Sequence, residues 1–192
     1  MARVIYQLLD GGDLGGMAPA PLPGGGFGYA ALPQGMPNAP RIYMIYNIAT
    51  ENRYVGIAGD LVNRFTSRMA AVTELGFAAA TMQNIVVWWG RVTVRDTPSQ
   101  LNPNPLEEEV LPPVGGGAFT HLIDGVQRNL EHLLIRFNLR AAGSGGTVSN
   151  NQLMGEFVNG PGHPIEVTVQ WGAAGPIGAG DRTEILQPND RW

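Results

Sequence analysis

The 192-residue chain contains no cysteine. That excludes a disulfide framework, an all-thiolate zinc site and thiol catalysis, and it leaves the redox compartment open. Lysine is absent too: all 12 basic residues are arginine. A GC-rich coding bias accounts for this, given the matching excess of Ala, Gly and Pro. The functional reading is a preference for guanidinium forks that grip phosphate. No stretch approaches the ~20 consecutive apolar residues that cross a bilayer. The first residues show no charged region followed by a sustained apolar run and a small-residue cleavage site. A soluble, cytoplasmic protein with no membrane partner is therefore expected.

Forty-four per cent of the residues are hydrophobic, which argues for a real core. The length suits one domain of roughly 100–150 residues with extensions. The 27 Gly and 15 Pro imply that a sizeable part is loop. Residues 10–40 hold GGDLGG and PAPLPGGGFG and read as a Gly/Pro-rich leader. No Lys-Ser/Thr follows these glycines and prolines interrupt them, so they do not read as a phosphate-cradling loop.

Charge is unevenly spread along a chain of net charge −4. Residues 41–95 hold six Arg against three acids, whereas 96–118 hold only acids, Asp96, Glu107, Glu108 and Glu109. The net negative charge alone argues against a nucleic-acid binder. The basic excess nevertheless falls on segments that look well folded.

Ile42 to Ile48 and Arg53 to Ile57 read as strands of a hairpin. Asp60 is a good N-cap for a helix whose apolar stripe is Leu61, Phe65, Met69 and Val72, closed by Gly76. Ile85 to Val94 is the strongest strand, rich in β-branched and aromatic residues. Residues 96–118 read as a proline-punctuated acidic insertion. Leu122, Ile123, Val126, Leu130, Leu133, Leu134 and Phe137 predict a long helix over 119–139. The tail offers one strand, Ile165 to Trp171. The expected fold is α/β: a small three-stranded sheet in the order hairpin, helix, strand, long helix. Its core is 41–151, between a leader at 1–40 and an irregular C-terminal extension at 152–192.

Tyr43 and Tyr54 sit on the paired strands, Arg64 four residues after the helix cap, and Glu131 beside His132 among the apolar residues of the long helix. Singly, each has an ordinary explanation: core tyrosines, a solvated arginine, an exposed glutamate. Jointly they resemble the GIY-YIG endonuclease superfamily. Arg41-Ile42-Tyr43 is similar to its first motif and Tyr54-Val55-Gly56 to its second. Asp60-Leu61 and Arg64 match the post-motif Asp-Leu and catalytic arginine, Asn129 to Asn138 the glutamate helix, and Ser149-Asn150-Asn151 the asparagine motif. Arg41 replaces the first glycine, and Arg68 stands where a histidine or tyrosine is frequent. Arginine does not deprotonate near neutral pH but can clamp phosphate.

The resemblance implies a divalent-metal-dependent DNA endonuclease of GIY-YIG fold. Glu131 would hold one Mg²⁺, with Mn²⁺ able to substitute, and Arg64 would stabilise the phosphoryl oxygens. Tyr43 would activate water, which requires a pKa below its ordinary ~10. Tyr54 would orient the water, and Arg68 would act on the phosphate. Gly56, His132, Asn150 and Asn151 would be supporting residues. The setting would be restriction and defence, with a homodimer if so, or an antibacterial toxin held by an immunity or inhibitory protein. Two other classes stay open: a catalytically inactive nuclease-fold module that binds nucleic acid or protein, and a structural accessory protein whose Gly/Pro flanks matter most.

Overall fold

The computed structural model describes residues 1–13, 19–21, 27–29, 32–48, 51–67, 85–115, 117–142, 163–172 and 181–187. Its strands are β1 (Ala2–Asp13), β2 (Pro19–Pro21), β3 (Phe27–Tyr29), β4 (Arg41–Asn47), β5 (Arg53–Ala58), β6 (Ile85–Arg95), β7 (Glu108–Val110), β8 (Thr120–Ile123), β9 (Val126–Asn129), β10 (Ile165–Trp171) and β11 (Arg182–Leu186). The helices among these residues are α1 (Leu61–Ser67) and α2 (Leu130–Ala142). The class is mixed α/β, as expected.

One seven-stranded sheet runs β11-β10-β1-β6-β4-β5, with β7 also paired to β6. It is antiparallel except for β1 against β10. β6 is long enough to pair with β4 through Ile85–Gly90 and with β7 through Val92–Val94 along the same edge. Side chains alternate across a pleated sheet, so the register assigns each residue a face. Tyr6, Ile42, Met44, Val55, Trp88, Val92 and Val167 fall on the side packed by Leu130, Leu133, Leu134 and Phe137 of α2. Tyr43, Ile45, Val87 and Trp89 fall on the other side, against Leu61 and Phe65 of α1.

Among the described residues, that second face is packed under α1 and the segment bearing Leu32 and Met36. Beyond them, side chains on β6, β1, β10 and β11 form a polar ladder. The bonds are Arg91 to Gln7 at 3.0 Å, Gln7 to Gln170 at 2.9 Å, and Thr168 to Thr183 at 2.9 Å. Arg3 pairs with Glu166 in the same layer. Side chains that satisfy one another in this way can face water on an antiparallel sheet.

Two expectations change. The three-stranded sheet is the middle of a larger one: β1 arises inside the expected leader, and β10 and β11 inside the expected extension. Ile165 to Trp171 is a strand, as read from the sequence. The helix expected over 119–139 begins only at Leu130, because 120–129 form the β8–β9 hairpin. Asp124-Gly125 is the reason, with φ of 50° and 75°. Two consecutive positive-φ residues make the turn that matches strand twist, and Asp-Gly suits it. Leu122, counted in the helical stripe, is exposed.

The acidic insertion is fastened at its start and again at β7. The Asp124 carboxylate accepts from the Thr97 N–H at 2.8 Å and from its hydroxyl at 2.6 Å, while Asp96 accepts from the Asp124 N–H at 2.8 Å. β7 then returns the chain along β6. Met69, Val72 and Gly76, the remainder of the helix expected after Asp60, lie outside the described residues.

Candidate active site

Tyr43 and Tyr54 are diagonal neighbours on one face of the hairpin. Tyr43 pairs with Gly56 and Ile45 with Tyr54, which offsets the two tyrosines by one pleat. Their ring centroids lie 6.2 Å apart. Phe65 of α1 meets the Tyr43 ring edge-on at 5.2 Å. Across the other edge of β4, Trp89 is the partner of Tyr43 and is buried. The phenol is therefore held by aromatic contacts on several sides, and such pairs favour offset or edge-on geometry.

Gly56 provides the space. A Cβ built there would lie 2.5 Å from Tyr43 Cζ and hydroxyl oxygen, so the ring rests on bare backbone. Gly56→Ala should push the ring off this seat at a stability cost of about 1–3 kcal/mol. Thermal melting checks this, and a wild-type melting temperature would mean that the ring does not rest on Gly56.

Arg64 reaches the site from α1. The Asp60 carboxylate accepts from the Asn63 N–H at 2.9 Å and caps the helix, as the sequence suggested. Leu61 and Phe65 then face the sheet, and Arg64 one position earlier flanks the tyrosines. Its Nε donates to the Tyr43 hydroxyl at 3.3 Å. Burial would lower the guanidinium pKa, but the two phenols, Tyr43 and Tyr54, more than offset it and hold it above its ordinary value. Arg64 is cationic at any working pH.

Glu131 sits in the first turn of α2, just after Asn129. Asn129 Oδ1 accepts from the His132 N–H at 3.0 Å, which caps the helix. Burial raises the Glu131 carboxyl above its ordinary range, and the positive charge of Arg64 opposes that rise. Glu131 in turn acts on Tyr43. The structure therefore gathers Tyr43, Tyr54, Arg64 and Glu131 although they are spread over 41–131 in sequence. His132, next along the helix, is half-buried, and burial lowers its pKa, so its imidazole is neutral at pH 7. Arg68, Asn150 and Asn151 lie outside the described residues.

Tyr43 differs from expectation in one respect. Burial pushes its phenol well above the ordinary value, joined by Tyr54 and Glu131, and Arg64 does not outweigh them. The expected lowering does not arise from these side chains. It needs further positive charge at the site.

The donor set bears on whether a cation fits. Among the described residues no three His, Cys, Asp or Glu gather as a ready-made cage. What exists is one desolvated carboxylate whose charge Arg64 compensates only in part. A hard divalent cation that takes one carboxylate and fills its other positions from water and substrate phosphate suits this, as Mg²⁺ does.

Three features of the site escaped the sequence reading. Phe65 was assigned to the helix stripe but not to the Tyr43 ring. The capping role of Asn129 was signalled by an Asn before Leu130 and went unused. Tyr6 gave no local signal, since its partner is 124 residues away. Compared with protein-family models, curated proteins and solved structures, the chain matches none.

Proposed function

We propose that this protein is a divalent-metal-dependent endonuclease of the GIY-YIG type that hydrolyses phosphodiester bonds in DNA. The observation that carries the reading is the convergence of Arg64 on Tyr43 and Tyr54 beside the desolvated Glu131 carboxylate. Hydrolysis needs an oriented water, stabilisation of charge on the phosphoryl oxygens and help for the leaving alkoxide. Arg64 presents a fixed guanidinium in a partly dry site, where a charge-assisted bond to a phosphoryl oxygen is stronger than in water. On binding, a phosphate oxygen would take over from the Tyr43 hydroxyl as acceptor for Arg64. Tyr43, protonated when only these side chains act on it, orients the water. With added positive charge it also accepts the water's proton. Tyr54 holds the second side of the same water.

A Mg²⁺ at Glu131 would supply that positive charge and neutralise the phosphate. The choice of DNA rests on the family resemblance and on the arginine excess of 41–95. The setting is restriction and defence, or an antibacterial DNase toxin with an inhibitory partner.

Supercoiled plasmid with Mg²⁺ or Mn²⁺ tests the reading. Wild type is expected to nick and then linearise it, and Glu131→Ala to reduce the rate at least about a hundredfold. Equal cutting by Glu131→Ala removes Glu131 from the site. If the wild type leaves plasmid intact under every divalent metal, the enzyme reading fails. The buried, protonated Tyr43 then fits a nuclease-like module that binds without cutting.

A further inference from the structure

Tyr6 is a fully buried residue of β1, and its hydroxyl donates to the Leu130 carbonyl at 2.6 Å. Burial holds the phenol well above its ordinary pKa, so it is a donor at every working pH. Leu130 is the first residue of α2, immediately before Glu131. Its N–H is also taken, by the Phe119 carbonyl at 2.7 Å. The turn that bears Glu131 is thus gripped at both backbone groups of Leu130 and capped by Asn129.

Two of these three bonds are local, from the β8–β9 hairpin that leads into the helix. The third comes from the other end of the chain, through the central sheet. The Leu130 carbonyl does not need it, because α-helical geometry already gives that oxygen the N–H four residues on. The Tyr6 ring does not need it for packing either, since phenylalanine would fill the same space. What the hydroxyl adds is a fixed distance between β1 and the first turn of α2. β1 is also paired to β6, and β6 to β4, which bears Tyr43.

We propose that Tyr6 is a positioning residue for Glu131, fixing the turn that aims this carboxylate at the cation beside Tyr43 and Arg64. The inference rests on the nuclease reading given above. Outer partners of metal ligands commonly set affinity by tenfold or more. A hydroxyl acting through one intervening backbone group belongs among them.

The test compares wild type, Tyr6→Phe and Val167→Ala. Val167 is a fully buried β10 residue whose partner is Val4 of β1, so its truncation weakens the same region without removing any hydrogen bond to the turn. Binding of Mn²⁺ is followed by its electron paramagnetic resonance signal, and nicking is measured against Mg²⁺ concentration. Tyr6→Phe should weaken Mn²⁺ binding by about tenfold. It should raise the Mg²⁺ needed for half-maximal nicking in proportion, while the rate at saturating Mg²⁺ recovers. Val167→Ala should lower the melting temperature and leave both metal readouts at wild-type values.

Unchanged Mn²⁺ affinity in Tyr6→Phe, with wild type binding and cutting, overturns the inference alone. So does a Tyr6→Phe that merely melts earlier, with normal affinity per folded molecule. A wild type that neither binds Mn²⁺ nor cuts ends the nuclease reading and this inference with it.

Discussion

Replacing Arg64 by alanine should reduce plasmid nicking by about a thousandfold while the protein still folds. Removing one preorganised donor to a developing oxyanion costs roughly 10²–10³ in rate. Loss of an arginine from a phosphoryl transition state reaches about 10³–10⁵. The lower part of that range applies here, since Tyr43, Tyr54 and Glu131 remain. The cost to folding should be small, because Arg64 makes a long 3.3 Å bond to a phenol and is only partly buried. Arg64→Lys should recover only part of the rate, since an ammonium keeps the charge but not the planar fork. Substrate affinity should weaken less than turnover, as expected for a contact that strengthens in the transition state. If Arg64→Ala retains a tenth of wild-type rate at saturating DNA and metal, Arg64 is a binding residue only.

The largest stability effect is predicted at Gly90, one residue along β6 from Trp89. β1 carries a register shift between Gln7 and Asp10, opposite Gly90 in the middle of β6. A Cβ at Gly90 would fall inside the Gln7 carbonyl and against Leu8 Cα, both backbone atoms that cannot rotate aside. Leu8 there is completely buried and Leu9 about half exposed. A bulge of this kind re-aims side chains at a local cost to the ladder. Gly90→Ala must displace β1 from β6 and should destabilise by about 3–4 kcal/mol. For a chain of this size that corresponds to roughly 10 °C in melting temperature. Gly125→Ala, at an exposed hairpin turn with φ of 75° and nothing near its missing side chain, should cost less. If Gly90→Ala melted within about 2 °C of wild type, β1 would not cross Gly90 as described.

The hairpin, the Asp60 cap and β6 were legible because their signals are local. Alternation, an Asx cap and a β-branched run each sit within a dozen residues. The meeting of Tyr43, Tyr54 and Arg64 was foreseeable for the same reason. β1 was not, because Ala2–Asp13 becomes a strand only through partners at 86–95 and 165–171. The β8–β9 hairpin was misread for a different reason. Its apolar residues fit a helical period as well as a strand pair, and only Asp124-Gly125 separates the two. Tyr43's protonation could not be read from sequence at all. Which of burial and Arg64 dominates depends on how the Trp89, Phe65 and Gly56 surroundings close on the ring.

The parallel pairing of β1 with β10 fixes an order of events during synthesis. Residue 2 aligns with residue 165, so one flank of the first strand stays open until residues 165–171 have left the ribosome. Contacts of such long sequence separation form late and slow folding. An incomplete chain therefore exposes a hydrophobic edge along Val4, Tyr6 and Leu8, a natural binding point for chaperones and a route to aggregation. Under the nuclease proposal the same delay has a protective side: the strand bearing Tyr6 is paired on both edges only once residues 165–171 have been made, so a product that stops short of them is poorly equipped to cut DNA.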